Sequence, residues 1–168
     1  MFEIDLKRRY PNIKKMHLFD PSIEAYETPT TRDQDLYLEG IGPRDEEAGK
    51  FGWKLITLQT ALDKYSIRKG SRKMLKLDIE GDEFEVLAAS LDVIKEFDHL
   101  VIEVHWFADH ETLAREGGKE FGYKALSDLQ KHFYLYHVHF NNHVYWEPTT
   151  WPETYVFETS WIRKDLVK

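Results

Sequence analysis

Cysteine is absent from this sequence of 168 residues. Thiolate metal sites, disulfide bridges and thiol nucleophiles are therefore excluded. No apolar run approaches the ~20 residues that a membrane-spanning helix requires. The first residues also lack the basic start and the apolar stretch of a signal peptide. From these absences we expect a soluble, cytoplasmic protein without a membrane partner.

Positive charge is in the minority, with 23 Lys and Arg residues against 30 Asp and Glu residues and a net charge of -7. A nucleic-acid backbone would meet net repulsion from such a chain. The short basic run at residues 7–9 is more typical of a solvated helix face than of a nucleic-acid footprint. We therefore expect no nucleic-acid partner.

Aromatic residues are plentiful, at 14% of the chain, and hydrophobic residues reach 42%. Phe, Tyr and Trp bury large areas, so they are expected to supply much of the core. The length fits one domain that is large enough to bury such a core. The sequence therefore predicts a single globular domain over residues 1–168.

Strand patterns alternate with helical patterns along the chain. Apolar runs predict strands at residues 16–19, 36–38, 53–56, 74–79, 100–105, 134–140 and 154–160. Apolar residues at helical spacing predict helices at residues 2–10, 58–65, 84–91 and 121–132. This alternation, ending in two strands without a long helix between them, predicts an α/β fold. Its sheet is expected to be mainly parallel with an antiparallel edge strand.

The clearest local pattern is a strand, a tight turn and a helix around residue 80. The strand of residues 74–79 breaks at Glu80 and Gly81, and a helical stripe begins at Phe84. Asp82 and Glu85 have the spacing of a capping box, in which two side chains satisfy the free N–H groups of a helix start. We therefore predict a capping box at this helix.

Polar side chains cluster where several predicted strands end. They are Asp78 and Glu80, then Glu103 and His105, and finally His137 and His139, which are followed directly by Asn141, Asn142 and His143. Residues two apart along a strand point to the same side. Burying charged groups costs several kcal/mol per ion unless they are paired or ligated, so a ligand site tolerates them better than a plain core. Ligands of such sheets bind beyond the carboxyl ends of the strands.

Each of these residues also has an ordinary structural explanation. Asp78 could cap the following helix, Asp20 could begin a turn before Pro21, and His139 could be a half-buried strand residue. The carboxylates and histidines could together hold a divalent ion. Hydrogen bonds between carboxylates and histidines explain the same residues without an ion. We therefore assign no metal ligands, and metal binding stays an alternative.

Residues 75–87, from Leu75 to Leu87, closely resemble the K-x-D-x-E-G-x-E-x-x-V-L block of FkbM-type methyltransferases. Residues 17–22, 102–105 and 137–142 resemble the ends of other strands in that family, in the same order along the chain. The Asp-x-Glu-Gly block is fairly specific. The resemblance implies a Rossmann-like class I methyltransferase sheet that binds S-adenosylmethionine and methylates the oxygen of a small-molecule or sugar hydroxyl.

The resemblance also implies roles for individual residues on the cofactor side. Asp20 matches the acid that accepts hydrogen bonds from the ribose hydroxyls. Gly40, Ile41 and Gly42 match the segment beside the adenine. Asp78 and Glu80 would face the methionine end of the cofactor or the substrate.

On the acceptor side, the resemblance implies a pocket that faces the methyl group. Its catalytic residues would be Asp78, Glu80, Glu103, His105, His139 and Asn141. A transfer to oxygen needs an oriented acceptor and a base for its proton. Either His105 or His139 would be that base, with a carboxylate orienting it.

The sequence departs from the family at its beginning. Such enzymes begin with a strand and a glycine-rich turn, whereas the first glycine here is Gly40. We therefore expect an N-terminally truncated domain with the first strand missing, and we keep open that this form is inactive. The alternatives are a non-catalytic interaction domain, which forms a homo-oligomer through the open sheet edge, and a metal-binding site.

Overall fold

The structure is a computed structural model that describes residues 2–23, 32–67, 72–105, 119–140 and 156–168. The chain divides into two compact units. The first comprises Met1–Gly40 and Glu46–Leu55, and the second comprises Ile41–Asp45 and Ile56–Lys168. The single domain over residues 1–168 stays a prediction.

The described elements follow the predicted alternation of strands and helices. The helices are α1 (Phe2–Arg9), α2 (Leu58–Lys64), α3 (Glu83–Ala89), α4 (Leu91–Ile94) and α5 (Lys119–Gln130). The strands are β1 (Met16–Phe19), β2 (Gln34–Tyr37), β3 (Gly40–Ile41), β4 (Leu55–Ile56), β5 (Met74–Leu77), β6 (His99–His105), β7 (Phe133–Phe140) and β8 (Val156–Arg163). The α/β class predicted from the sequence is confirmed, with parallel and antiparallel pairings in one chain.

The first unit is built around the parallel pair of β1 and β2. Met16 lies opposite Gln34, and the register continues to Phe19 opposite Tyr37. The ring of Tyr37 stacks on Phe19 with 4.8 Å between the ring centroids. Aromatic contact across the strands therefore reinforces the backbone pairing at the carboxyl end of β1.

The second unit contains a four-stranded sheet in the order β5-β6-β8-β7. β5 and β6 are parallel, whereas β8 runs antiparallel to both β6 and β7. β5, β6 and β7 therefore run in one direction and β8 alone runs against them, as expected for a mainly parallel sheet. The predicted edge position of the antiparallel strand is wrong, because β8 lies inside the sheet, between β6 and β7.

Burial explains the position of β8. Val156, Thr159 and Trp161 on this strand are buried, whereas every residue of β7 after Phe133 is exposed. A strand whose residues are buried in the core suits an inner position with a hydrogen-bonding neighbour on each side, and the exposed strand can form the edge. Pairing of an open sheet edge with a second copy stays a prediction, as does the missing first strand.

The core of the second unit lies where α3 packs against β6 and α5. Its most deeply buried apolar side chains are Leu77, Val86, Ile94, Leu100, Ile102, Val104, Leu129, Phe133 and Trp161. The carboxyl ends of β5 and β6 therefore rest on a packed apolar layer, which gives the polar residues there a rigid base. No helix in the described ranges is both long enough and apolar enough to span a membrane.

The hydroxyl of Thr159 joins two buried polar groups in this core. Nε1 of Trp161 donates to Oγ1 of Thr159 at 2.9 Å, and that hydroxyl donates to the carbonyl oxygen of Ile102 at 3.1 Å. Thr159→Val keeps the shape but removes both bonds, so we expect it to lower the free energy of unfolding by about 1–3 kcal/mol. Urea denaturation followed by circular dichroism measures this change.

The control is the same substitution in a Trp161→Phe background. Because the indole donor is already gone there, Thr159→Val should cost less than in the wild type. An equal cost in both backgrounds would show that the hydroxyl does not couple to Trp161.

Candidate functional site

The turn after β5 carries two of the predicted site residues. β5 ends at Leu77, so Asp78 and Glu80 lie in the turn that leads into α3 and not on the strand itself. Glu80 and Gly81 have positive φ angles of 59° and 110°. Glycine adopts such angles readily, whereas a left-handed Glu80 costs about 1–2 kcal/mol. Contacts from the surrounding residues must hold this turn.

Glu83, the first residue of α3, provides such contacts. Its Oε1 accepts hydrogen bonds from the backbone N–H groups of Ile79 at 3.1 Å and Gly81 at 3.2 Å. The predicted capping box of Asp82 and Glu85 is wrong, because Asp82 precedes the helix but its side chain makes no capping hydrogen bond. Glu83, the first residue of the helix, instead accepts hydrogen bonds from the turn.

The same carboxylate orients His105 at the end of β6. Nδ1 of the ring lies 3.0 Å from Oε1 of Glu83, and the backbone N–H of His105 donates to Oε2 at 3.4 Å. Since a carboxylate only accepts, we assign the proton to Nδ1, which leaves the lone pair of the neutral ring on Nε2. The side chains of His105 and Glu83 are 9% and 1% exposed. The ring is therefore held in one orientation.

Three carboxylates face the other nitrogen of that ring. Nε2 of His105 lies 3.9 Å from Oδ1 of Asp78, 3.7 Å from Oε2 of Glu80 and 3.9 Å from Oε1 of Glu103. These separations are too long for direct hydrogen bonds. They suit a single hydroxyl, water molecule or ion that contacts several of these atoms at once. We call Asp78, Glu80, Glu103 and His105 the His105 cluster.

Negative charge dominates the electrostatics of the His105 cluster. Burial by itself lowers the pKa of His105, but the hydrogen bond to Glu83 and the carboxylate charges around the ring outweigh it, so the pKa is raised. Burial raises the pKa of the Glu103 carboxyl, and the charge of Asp78 raises it further. Lys76 contacts Oδ2 of Asp78, so Oδ1 is the oxygen that faces the ring.

A second row of charged residues crosses the sheet beside Glu103. Glu103 on β6 is directly opposite Glu158 on β8, and Glu158 is opposite His139 on β7. Like charges directly opposite each other destabilise a sheet. Nδ1 of His139 lies 3.8 Å from Oε2 of Glu158, and both side chains are about half exposed. His139 is therefore in the same row as Glu103 but two strands away from it.

The structure thus brings together four of the six residues predicted to be catalytic. Asn141 lies outside the described residues. Sequence reasoning missed Glu83, because three acids stand close together at the start of α3 and no local pattern shows which one turns inward. It also missed Glu158, which becomes a neighbour of Glu103 only through the pairing of β6 with β8.

Asp20, predicted to bind the cofactor, lies in the first unit at the carboxyl end of β1. Its backbone N–H donates to the carbonyl oxygen of Tyr37 at 3.0 Å. Its Oδ1 accepts hydrogen bonds from the backbone N–H and the hydroxyl of Ser22, at 2.9 Å and 2.6 Å. These bonds fix the carboxylate just beyond the end of a parallel strand, where a ligand is expected.

The predicted adenine-binding segment consists of Gly40, Ile41 and Gly42, all of which are buried. A Cβ on Gly40 would lie 2.7 Å from Cδ2 of Leu55, so packing alone explains this glycine. The N–H of Gly40 donates to Lys54, and the N–H of Gly42 donates to Ile56. Both amides therefore take part in strand pairing. The position of residues 40–42 beside the adenine stays a prediction.

Comparison with known proteins gives one match. The family model described as the methyltransferase FkbM domain matches residues 10–137. The chain belongs to the FkbM methyltransferase family. No curated protein and no solved structure matches it. The FkbM match includes the whole His105 cluster and Glu83, whereas His139 and Glu158 lie beyond its end.

Replacing Glu83 with glutamine removes the buried negative charge next to His105 and keeps the size of the side chain. We expect NMR titration of the metal-free wild type to show a His105 pKa above 6.5, and Glu83→Gln to lower it. Because the folded-state pKa is raised, this interaction stabilises the fold fully below the unfolded pKa. Its contribution is lost as the pH rises through the folded pKa.

Glu85→Gln is the matched control, since Glu85 also lies in the first turn of α3. It should change the pKa of His105 much less than Glu83→Gln does. A wild-type His105 that titrates at or below the ordinary value would contradict the geometry described above.

Proposed function

We propose that this FkbM-family chain is an S-adenosylmethionine-dependent methyltransferase that acts on the oxygen of a small-molecule or sugar hydroxyl. The observation that supports this proposal best is the His105 cluster. It lies at the carboxyl ends of the parallel strands β5 and β6, and inside the range that matches the family. Ligands of sheets with parallel strands bind at that end.

Each of the two units, taken by itself, carries residues that suit one part of the cofactor. S-adenosylmethionine, when bound, supplies an electrophilic methyl group on a positively charged sulfonium. The carboxylates of Asp78, Glu80 and Glu103 provide a negative environment, which favours a cationic ligand. Asp20, whose carboxylate is fixed by Ser22, has the acceptor atoms that a ribose diol requires. Gly40, Ile41 and Gly42 remain proposed as the segment beside the adenine, as the resemblance to the family implies.

The His105 cluster also has the groups that an acceptor hydroxyl needs. The hydroxyl must be held towards the methyl group, and its proton must be removed as the new C–O bond forms. Carboxylate oxygens accept a hydrogen bond from such a hydroxyl and orient it. Of the two histidines considered as the base, His105 is oriented by a buried carboxylate, whereas His139 is about half exposed. His139 and Asn141 remain proposed as outer residues of the acceptor pocket.

The charge of the site restricts the class of acceptor. A phosphorylated or carboxylated acceptor would bring a negative charge towards Asp78, Glu80 and Glu103, which costs energy in a partly buried site. An uncharged polyhydroxyl compound instead has several donors for these oxygens. We therefore propose uncharged hydroxyl compounds, including sugars, as acceptors.

Calorimetric titration with S-adenosylmethionine tests the cofactor side of this proposal. We expect saturable binding, and we expect Asp20→Ala to weaken it about tenfold to a hundredfold, as for the loss of charged hydrogen bonds worth about 1.5–3 kcal/mol. Asp35→Ala is the control, because Asp35 also belongs to the β1–β2 pair but its carboxylate is held by Lys15. Absence of binding at millimolar cofactor would rule out catalysis by this chain alone and favour the non-catalytic interaction domain.

Variants of the His105 cluster test the acceptor side. With a panel of sugars and other uncharged hydroxyl compounds, we expect His105→Ala to reduce formation of S-adenosylhomocysteine by at least about a hundredfold. The same variant should bind S-adenosylmethionine within a few-fold of the wild type. Loss of cofactor binding together with turnover would instead place His105 on the cofactor side.

A further inference from the structure

We infer that Asp78, Glu80 and His105 form a binding site for a divalent metal cation. The proposed ligand atoms are Nε2 of the histidine and one oxygen from each carboxylate. This inference rests on the geometry of the His105 cluster and does not require that the chain transfers methyl groups.

The ligand atoms have nearly the spacing that a small cation imposes. All three lie within 4.8 Å of one another, and Nε2 of His105 is 3.9 Å and 3.7 Å from the facing oxygens of Asp78 and Glu80. Bonds of about 2.0–2.2 Å in a tetrahedral site separate ligand atoms by roughly 3.3–3.6 Å. Small rotations of the two carboxylates would therefore close the site around an ion.

The contact between His105 and Glu83 is what distinguishes this arrangement from a simple group of surface acids. A histidine that ligates a metal almost always donates its other ring N–H to a carboxylate or carbonyl, which fixes the ring and increases its basicity. Nδ1 of His105 makes this contact with Glu83 at 3.0 Å. The ring is nine-tenths buried, and its remaining nitrogen is directed at the carboxylates.

The second ligand, Asp78, is oriented in a similar way. Lys76 contacts Oδ2 of Asp78, while Oδ1 is the oxygen nearest to Nε2 of His105. Each of these two ligands therefore has one atom held by the protein and another atom turned towards the proposed ion. Glu103, with Oε1 at 3.9 Å from Nε2, is placed to bind the ion or a water molecule on it.

The chemistry of the ligands indicates the class of ion. Two carboxylate oxygens and one imidazole nitrogen suit Mn²⁺, Fe²⁺ or Zn²⁺, whereas Ca²⁺ takes six to eight oxygen ligands. If the chain is an O-methyltransferase as proposed above, Nε2 of His105 cannot both ligate the ion and act as the base, so with metal bound the ion would replace His105 as the group that activates the hydroxyl. A hydroxyl coordinated by such an ion would lose its proton more easily, to a carboxylate such as Glu103 or to solvent. The metal site would then make the acceptor more reactive.

Titration of chelator-treated protein with Mn²⁺ alone tests the site, followed by calorimetry and by electron paramagnetic resonance of the free ion. We expect saturable binding of one ion per chain. Asp78→Asn and Glu80→Gln should each weaken the binding at least about tenfold, since each removes a charged ligand. Asp92→Asn and Glu47→Gln are matched controls on exposed acids outside the cluster, with 95% and 85% side-chain exposure, and should leave it unchanged.

The variant Glu83→Gln tests whether Mn²⁺ binds to ligands that the protein orients or is merely attracted by the negative charge of the cluster. This residue would not touch the ion, yet its loss should weaken Mn²⁺ binding about tenfold to a hundredfold, the usual effect of removing the carboxylate behind a histidine ligand. Circular dichroism checks that the variant is folded. If Glu83→Gln is not folded, the Mn²⁺ affinities of Asp78→Asn and Glu80→Gln still test the site, because both of these positions are partly exposed.

Two outcomes would overturn the inference: no saturable Mn²⁺ binding by the wild type, or binding that Asp78→Asn and Glu80→Gln leave unchanged. Titration with S-adenosylmethionine in the presence of chelator is the parallel measurement. Protein that binds the cofactor but not Mn²⁺ would refute the metal site alone. Protein that binds Mn²⁺ but not the cofactor would refute the proposed function alone.

Discussion

The buried contact between Glu83 and His105 is the interaction on which the rest of the site depends. One carboxylate accepts hydrogen bonds from two backbone groups of the turn after β5 and from the ring at the end of β6. It therefore connects three elements, because its own residue begins α3. Without it, the left-handed turn at Glu80 would lose two hydrogen bonds, and the ring would lose the carboxylate that accepts from its Nδ1.

Burying the Glu83 carboxylate costs free energy that a core made only of apolar side chains would not require. A buried carboxylate loses its hydration, and it is stable only when hydrogen-bond donors replace the lost water. Glu83 obtains such donors from Ile79, Gly81 and His105. The facing acids Glu103 and Glu158 add a repulsive pair across β6 and β8. Costs of this kind are characteristic of ligand sites, where the ligand supplies the missing interactions.

Much of this architecture follows from short patterns in the sequence. The apolar run before Asp78 and the break at Gly81 predict β5, its turn and α3, because strand and turn residues have local preferences. Strand ends that carry acids and a histidine likewise predict that Asp78, Glu80, Glu103 and His105 lie close together, as they do in the structure. The motif of residues 75–87 predicts the family, and the family match over residues 10–137 confirms it.

The parts that could not be predicted are those decided by tertiary packing. The inward direction of Glu83 depends on how the turn folds over α3 and on where β6 places His105. The insertion of β8 between β6 and β7 depends on pairing between β6 and β8, which are far apart in the sequence. Neither the direction of the Glu83 side chain nor the position of β8 can be predicted from a few neighbouring residues of the sequence.

The central claim is that Glu83 holds His105 with its Nε2 lone pair directed at the carboxylates. Long-range ¹H–¹⁵N NMR of the His105 ring, at a pH above its pKa, reports which nitrogen carries the proton. The structure predicts the Nδ1–H tautomer in the wild type and a mixture of tautomers in Glu83→Gln. A wild-type ring protonated at Nε2 would contradict both the site and the metal inference built on it.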